Sequence, residues 1–263
     1  MRKIKYAIVS IVAGVFFIGM RNDGHKDLPK PPRAISKTTR KTTPQIIIPK
    51  VIAVMHNVKR PGNVTALAIS AASRNSVVAE VHVWGNCPSA VNIHCHNMSK
   101  TLYHAAHDAF ASEFTGDYLA HGNKFTGTDD IARTKWRSLL ALDMWAVLRE
   151  ARGLFPFLPI LYLENDAILK NGTCLALLLK DMVTSRIPAT SCYSPSNRKG
   201  VYGGSGNVCF VFMPDIDPTP HLLAYHMVQP ADWILSDFSK GMWPMHPCAN
   251  HGTDGNHIST RVI

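Results

Sequence analysis

The stretch that decides the fold is Phe157–Leu169, with the sequence FLPILYLENDAIL. An apolar run of strand character ends abruptly in Glu164, Asn165 and Asp166. Buried strands of a parallel sheet read as continuous apolar runs, and such sheets bind ligands outside the carboxyl ends of their strands. Two carboxylates at that position can bind a divalent cation that also binds the phosphate oxygens of a ligand. An isolated Glu-x-Asp is more often an acidic turn, so the rest of the chain decides between the two interpretations.

Apolar runs of strand length alternate along the chain with segments of helical periodicity. This alternation is typical of an α/β sandwich with a mainly parallel sheet. Besides the strand that ends at Glu164, the expected strands are residues 50–57, 77–84, 189–193 and 207–213. The expected helices are residues 65–73, 100–114, 131–152, 173–183, 219–227 and 231–238.

The positive charge of the chain is concentrated at its N-terminus. The formal net charge is +10, yet residues 1–60 hold 13 Lys and Arg against 2 Asp and Glu. The other 203 residues hold 15 against 16. A protein that binds nucleic acid needs a basic face on its folded domain. The distribution therefore argues against a nucleic-acid partner.

The N-terminal segment is predicted to be a targeting element. Arg2, Lys3 and Lys5 precede the apolar run Tyr6–Met20, an order that favours a cytoplasmic N-terminus. The run is short for a membrane span and long for a signal-peptide core. We favour an uncleaved signal anchor over residues 1–22, with a cleaved signal peptide and a secreted product as the alternative. Short spans suit the thinner membranes of the endoplasmic reticulum and Golgi.

The remaining chain divides into a stem and a folded domain. Residues 23–45 contain four prolines and no apolar period, which predicts a flexible stem, and residues 46–263 form the expected domain. Glycosylation acceptor patterns begin at Asn63, Asn97 and Asn171. The six cysteines are an even number compatible with disulfides in an oxidising compartment. Both features agree with a lumenal domain.

Two cations stand at the start of the long expected helix 131–152. Lys135 and Arg137 lie in its first turns, where the helix dipole disfavours positive charge unless an anionic partner such as a diphosphate is present. The alternative is solvated surface charge.

A further carboxylate, Asp232, opens the expected helix 231–238 beside Trp233. A carboxylate at a helix start can act as a general base or can cap the helix. The residue alone does not decide between these two roles.

The order of these motifs resembles the catalytic region of GT-A glycosyltransferases. The matching segments are Lys135–Asp143, Leu161–Asp166, Pro230–Leu235, Asn250–Gly252 and Ser259–Thr260. The chain is similar to enzymes related to N-acetylglucosaminyltransferase IV and to the transferase that adds N-acetylgalactosamine to the GPI-anchor glycan. The resemblance covers roughly residues 128–260. It implies a GT-A fold, a UDP-sugar donor (UDP-N-acetylglucosamine foremost), a glycan acceptor, Mn²⁺ or Mg²⁺, and an inverting displacement.

The resemblance also implies roles for the matching residues. Asp166, Glu164 and His251 would hold the metal ion, with His257 as a substitute for His251. Asp232 would deprotonate the acceptor hydroxyl. The residues implied to contact the donor are Lys135, Arg137, Asp143, Glu164 and Asn165, and the loop 203–206 would shape the sugar pocket.

One departure from the family pattern falls in the metal motif. Relatives carry Glu-Asp-Asp where this chain has Glu164, Asn165 and Asp166. An asparagine still offers a carbonyl oxygen, which suits Mn²⁺ and Mg²⁺, but the loss of one negative charge lowers metal affinity. A catalytically silent glycan-binding protein on the same fold is therefore the alternative from another class.

A second set of residues suggests a different metal. Cysteines and histidines are dense between positions 87 and 107, namely Cys87, His94, Cys95, His96, His104 and His107. Their spacing fits no closed zinc site well. Surface histidines with disulfide cysteines are the preferred interpretation, and the zinc alternative predicts stoichiometric zinc in purified protein.

Overall fold

The computed structural model describes residues 46–57, 63–88, 92–98, 131–170, 172–193, 208–239 and 246–251. Several predictions from the sequence lie outside these ranges and stay predictions. They are the anchor 1–22, the stem 23–45, the helix 100–114, the loop 203–206, and the roles of His104, His107 and His257. Within the described ranges, no helix is both long and apolar enough to cross a membrane.

Strands and helices alternate through the described ranges. The strands are β1 (Val51–Asn57), β2 (Val78–Gly85), β3 (His94–His96), β4 (Ile160–Glu164), β5 (Ala167–Leu169), β6 (Ala189–Ser191), β7 (Cys209–Phe212) and β8 (Ala249–His251). The helices are α1 (Val64–Ser73), α2 (Ile131–Leu154), α3 (Gly172–Ser185), α4 (Thr219–Tyr225) and α5 (Ala231–Phe238).

Six strands form one sheet in the order β3-β2-β1-β4-β7-β6. Strands β3, β2, β1 and β4 are parallel, whereas β7 is antiparallel to both of its neighbours. The predicted α/β fold with a mainly parallel sheet is confirmed. From β1 the chain moves outward to β2 and β3, then returns through α2 to β4 on the other side of β1. The strand order therefore reverses between β1 and β4.

Helices cover both faces of this sheet. Because successive side chains of a strand point to opposite faces, Val51, Ala53 and Met55 of β1 pack with α1 and α3, while Ile52 and Val54 pack with α2, α4 and α5. Each face buries its own apolar cluster. The described part of the chain thus has three layers, with the sheet in the middle.

Helix α2 is fixed at its C-terminal end by Arg152. The guanidinium donates hydrogen bonds to the backbone carbonyls of Leu158, Phe212, Met213 and Ile216. Phe212 pairs with Ile160 at the beginning of β4, so α2 ends at the amino end of that strand. The helix consequently runs antiparallel to β4, and its N-terminal turns lie toward the carboxyl edge of the sheet.

All six cysteines are paired in disulfides, as the sequence predicted. The pairs are Cys87–Cys95, Cys174–Cys248 and Cys192–Cys209. The second pair joins the first turn of α3 to the residue before β8. Because Cys87 and Cys95 are bonded to each other, neither can bind zinc as a thiolate. The zinc ligand set that included these two cysteines is therefore wrong.

Candidate metal centre at the carboxyl edge of the sheet

The acidic motif lies where the chain leaves the sheet. Strand β4 ends at the half-buried Glu164, and a two-residue turn of Asn165 and Asp166 leads directly into β5. Strand β5 pairs with β8 so that Ala167 stands opposite His251. This pairing brings a residue from the far end of the chain beside the fully buried Asp166.

The three residues predicted to hold a metal ion lie together. His251 Nε2 is 3.4 Å from Asp166 Oδ2. One ligand atom from each of Glu164, Asp166 and His251 lies within 4.8 Å of the other two. Two carboxylates with one imidazole suit a divalent cation, and the carboxylate majority suits Mn²⁺. The donor set therefore fits the ion that the family resemblance implies.

Tyr193 faces the same carboxylates and was not singled out from the sequence. Burial raises the pKa of its phenol, and the negative charges of Glu164 and Asp166 raise that pKa further. The hydroxyl is therefore protonated at neutral pH and can donate a hydrogen bond to an anionic ligand. The residue follows β6, and the Cys192–Cys209 disulfide beside it fixes the chain to β7.

His56 and Asp143 form a second polar pair at the strand-order reversal. His56 stands in register with Glu164 on the neighbouring strand. Its Nδ1 is 3.6 Å from Asp143 Oδ2, and both side chains are largely buried. The sequence predicted Asp143 as a donor-binding residue. The structure shows this carboxylate against His56, and its contact with a donor stays a prediction.

Asn165, the departure from the family motif, has a structural partner. Its Nδ2 donates to Asn57 Oδ1 over 3.0 Å. Asn57 also accepts from the Thr65 hydroxyl at 3.4 Å and donates to the Asn86 carbonyl. The Asn165 amide thus joins the β4 turn to β1, α1 and the end of β2. An aspartate at this position would set a carboxylate against the Asn57 oxygen.

We expect Asn165→Asp to lower the free energy of unfolding by about 1–3 kcal/mol, because the buried Asn57 oxygen loses the shorter of its two hydrogen bonds and faces a carboxylate instead. Urea denaturation monitored by circular dichroism measures the change. Asn97→Asp, at an exposed asparagine, serves as the control and should leave stability within about 0.5 kcal/mol. Equal stability of Asn165→Asp and the wild type would contradict the assigned role.

The other predicted site residues lie outside this cluster. Lys135 is exposed and Arg137 half-buried. They precede Asp143 by eight and six residues, which is about 12 and 9 Å along the helix axis toward the carboxyl edge. Their contact with a diphosphate stays a prediction.

Asp232 occupies the first turn of α5, which packs against α2 and α4. Pro230 is the N-cap residue and makes no side-chain capping hydrogen bond, so Asp232 is not itself the N-cap residue. A negative charge in the first turn still interacts favourably with the helix dipole. Among the described residues, Asp232 does not belong to the cluster of possible metal ligands that contains Asp166. Its role as a base stays a prediction.

Comparisons with known proteins give little further information. No protein-family model matches the chain, and no curated protein matches it significantly. Among solved structures, the apo form of mouse xyloside xylosyltransferase 1 is similar, with a TM-score of 0.42 and 10% sequence identity. The similarity covers 74% of this chain and 84% of that chain. A likeness at this level assigns neither a family nor an activity to this chain.

Proposed function

We propose that this protein is a metal-dependent glycosyltransferase that uses a sugar nucleotide. The observation that carries the proposal is the convergence of Glu164, Asp166 and His251 at the carboxyl end of β4. That position adjoins the strand-order reversal between β1 and β4, where open α/β sheets bind their ligands. A divalent cation held there is suited to the diphosphate of a nucleotide.

In this proposal, different side chains of the protein bind the donor and transfer the proton. Glu164, Asp166 and His251 would hold the cation, which would supply Lewis-acid chemistry at the diphosphate. Tyr193 donates a hydrogen bond to an anionic oxygen of the donor. Asp232 removes the proton from the acceptor hydroxyl as it attacks the sugar.

Two cations approach the same ligand from the helix layer. Lys135 and Arg137 extend from the N-terminal turns of α2, which lie toward the carboxyl edge of the sheet. A diphosphate there would relieve the unfavourable interaction between these cations and the positive end of the helix dipole. The guanidinium of Arg137 can also engage two phosphate oxygens at once.

The finer assignment rests on the motif resemblance of the sequence. We propose UDP-N-acetylglucosamine as the donor, a glycan as the acceptor, and inversion at the anomeric carbon. The alternative donor is UDP-N-acetylgalactosamine, with a GPI-anchor glycan as the acceptor. We further propose that residues 1–22 anchor the enzyme in the Golgi or endoplasmic reticulum membrane with its domain in the lumen.

Calorimetry of UDP with the purified protein tests the proposal. We expect binding that requires Mn²⁺ and is lost in chelator, followed by Mn²⁺-stimulated UDP release from one UDP-sugar in a panel. A catalytically silent glycan-binding protein on the same fold should show no metal-dependent UDP binding. The absence of metal-dependent UDP binding would exclude the proposed function.

Asp232→Asn is expected to lower transfer by about 10²–10⁴-fold while UDP binding stays unchanged, because a general base contributes that much to proton transfer. The control is Asp237→Asn on the same helix, whose carboxylate accepts a hydrogen bond from Gln229 at 3.0 Å. A radiolabel transfer assay and UDP calorimetry give the two readouts. Equal losses of binding and transfer in Asp232→Asn would indicate a structural role instead.

A further inference from the structure

A second group of metal-ligating side chains lies on β2 and on the neighbouring edge strand β3. Edge strand β3 pairs in parallel with β2, so that His94 stands beside His82 and His96 beside Trp84. The alternation of side chains along β2 places Glu80 on the same face as His82. Three imidazoles and one carboxylate thus share one patch of the sheet.

The donor atoms of this patch converge on a single carboxylate oxygen. Glu80 Oε2 is 2.9 Å from His82 Nε2 and 3.6 Å from His94 Nε2. One ligand atom from each of the three residues lies within 4.8 Å of the other two. Bonds of about 2.0–2.1 Å to a tetrahedral zinc ion place neighbouring ligand atoms about 3.3 Å apart. The observed separations bracket that value.

His96 stands behind His82 in the position of an orienting partner. His82 Nδ1 and His96 Nε2 are 2.8 Å apart. When a metal takes Nε2 of a neutral histidine, the proton stays on Nδ1 and is donated to a neighbouring acceptor. His96 Nε2 can be that acceptor, with its own proton on Nδ1. The stacking of His96 on Trp84, at 4.3 Å between ring centroids, fixes its ring.

The neighbouring structure fixes the inner part of this arrangement, His82 and His96. The Trp84 indole donates to Glu150 on α2 at 2.8 Å. The Cys87–Cys95 disulfide ties the segment that follows β2 to the middle of β3, between the two histidines of that strand. The Glu80 and His94 side chains are 46% and 57% exposed, whereas His82 is 5% exposed. The patch is therefore rigid on its inner side and open to solvent on its outer side.

We propose that Glu80, His82 and His94 bind a zinc ion, with water in the fourth position and His96 as a positioning residue. Two imidazoles with one carboxylate favour Zn²⁺ over Mn²⁺ or Mg²⁺, which prefer oxygen ligands. The exposed His94 ring, now stacked on His82 at 4.5 Å, turns toward the shared carboxylate as it coordinates. The ion joins β2 to β3 and so stabilises the edge of the sheet. The site is independent of the proposed transferase centre.

Zinc retention by the purified full chain tests this site. The protein is stripped with chelator, loaded with excess ZnCl₂ and passed through gel filtration, and its zinc content is measured by mass spectrometry. All variants carry Asp166→Asn as well, so that the carboxylate site at β4 does not contribute. We expect one zinc ion per chain in this background, and a gain in thermal stability that depends on zinc concentration.

Three variants discriminate among the outcomes. His94→Ala and Glu80→Gln alter exposed ligands and should weaken zinc binding by more than about 100-fold, since even partners outside the ligand shell contribute 10–100-fold. His246→Ala is the control, because this histidine pairs with Asp181 at 2.8 Å away from the patch. It should retain one zinc ion. Zinc retained equally by His94→Ala, or no zinc retained in the reference protein, would overturn the proposal.

The positioning role of His96 has its own readout. His96→Ala should weaken zinc binding by about 10–100-fold, as measured by competition with a chelator. His96→Gln should restore most of the affinity, because its amide oxygen can accept the proton from His82 Nδ1. A purely structural role for the ring would leave both variants equally impaired, and that result would remove His96 from the proposal.

Discussion

Replacing Asp166 with asparagine is expected to abolish the Mn²⁺ dependence of UDP binding and the release of UDP from its sugar conjugates. The substitution keeps the shape of the fully buried side chain but removes one of the two negative charges in the cluster with Glu164 and His251. Replacing a charged carboxylate ligand with a neutral amide should weaken Mn²⁺ binding by at least about 100-fold, since partners outside the ligand shell already contribute 10–100-fold. Paramagnetic relaxation of water by Mn²⁺ measures the affinity directly.

A matched control exists elsewhere on the chain. Asp181 forms a carboxylate–imidazole pair with His246 at 2.8 Å, similar to the pair of Asp166 with His251. Asp181→Asn should leave Mn²⁺ affinity and UDP release unchanged. If Asp166→Asn keeps the affinity of the wild type, or if both variants lose it equally, the acidic motif is not the metal site.

Removal of the Cys174–Cys248 disulfide by a double substitution to alanine is expected to lower the free energy of unfolding by about 4.4 kcal/mol. The two cysteines are 74 residues apart in sequence, and the entropy that a disulfide removes from the unfolded chain grows with the length of the closed loop. The bond also holds the residue before β8, whose last residue is His251. The same variant should therefore bind Mn²⁺ more weakly.

Chemical denaturation with parallel Mn²⁺ titrations checks both effects. The control is the double substitution at Cys87 and Cys95, which closes a loop of only 8 residues. That variant should lose about 2.5 kcal/mol by the same relation and keep its Mn²⁺ affinity. Unchanged Mn²⁺ affinity in the Cys174/Cys248 variant would show that β8 stays in place without the disulfide.

Elements with strong periodicity could be predicted from the sequence. The expected strand 50–57 and helix 131–152 correspond to β1 and α2, and the helix 231–238 matches α5. Burial of a whole strand or helix face leaves a clear pattern in the order of apolar residues. The short strand β8 gave no such pattern. Its three residues form a strand because they pair with β5, and the disulfide between Cys174 and Cys248 holds the residue before them.

Part of the candidate site could be predicted, because the pattern of apolar residues also shows where a buried strand ends. Glu164 and Asp166 follow an apolar run, so the end of a strand could be inferred there. The same reasoning applied to β1, which ends in His56 and Asn57, would have found two more polar residues at the neighbouring strand end. Tyr193 had no comparable signal, since its approach to the carboxylates depends on how the antiparallel strands β6 and β7 pack.

Arg152 lies at the far end of α2 from the basic residues near the carboxyl edge. About 25 Å of helix separates it from Lys135. A helix transmits displacement along its axis as a rigid element, so the carbonyls that hold Arg152 also fix where Lys135 and Arg137 stand. If Lys135 and Arg137 bind a diphosphate as proposed, the entropy of ordering that basic turn is lost during folding rather than on binding. Backbone groups outside the proposed site would then help to determine how tightly it holds its ligand.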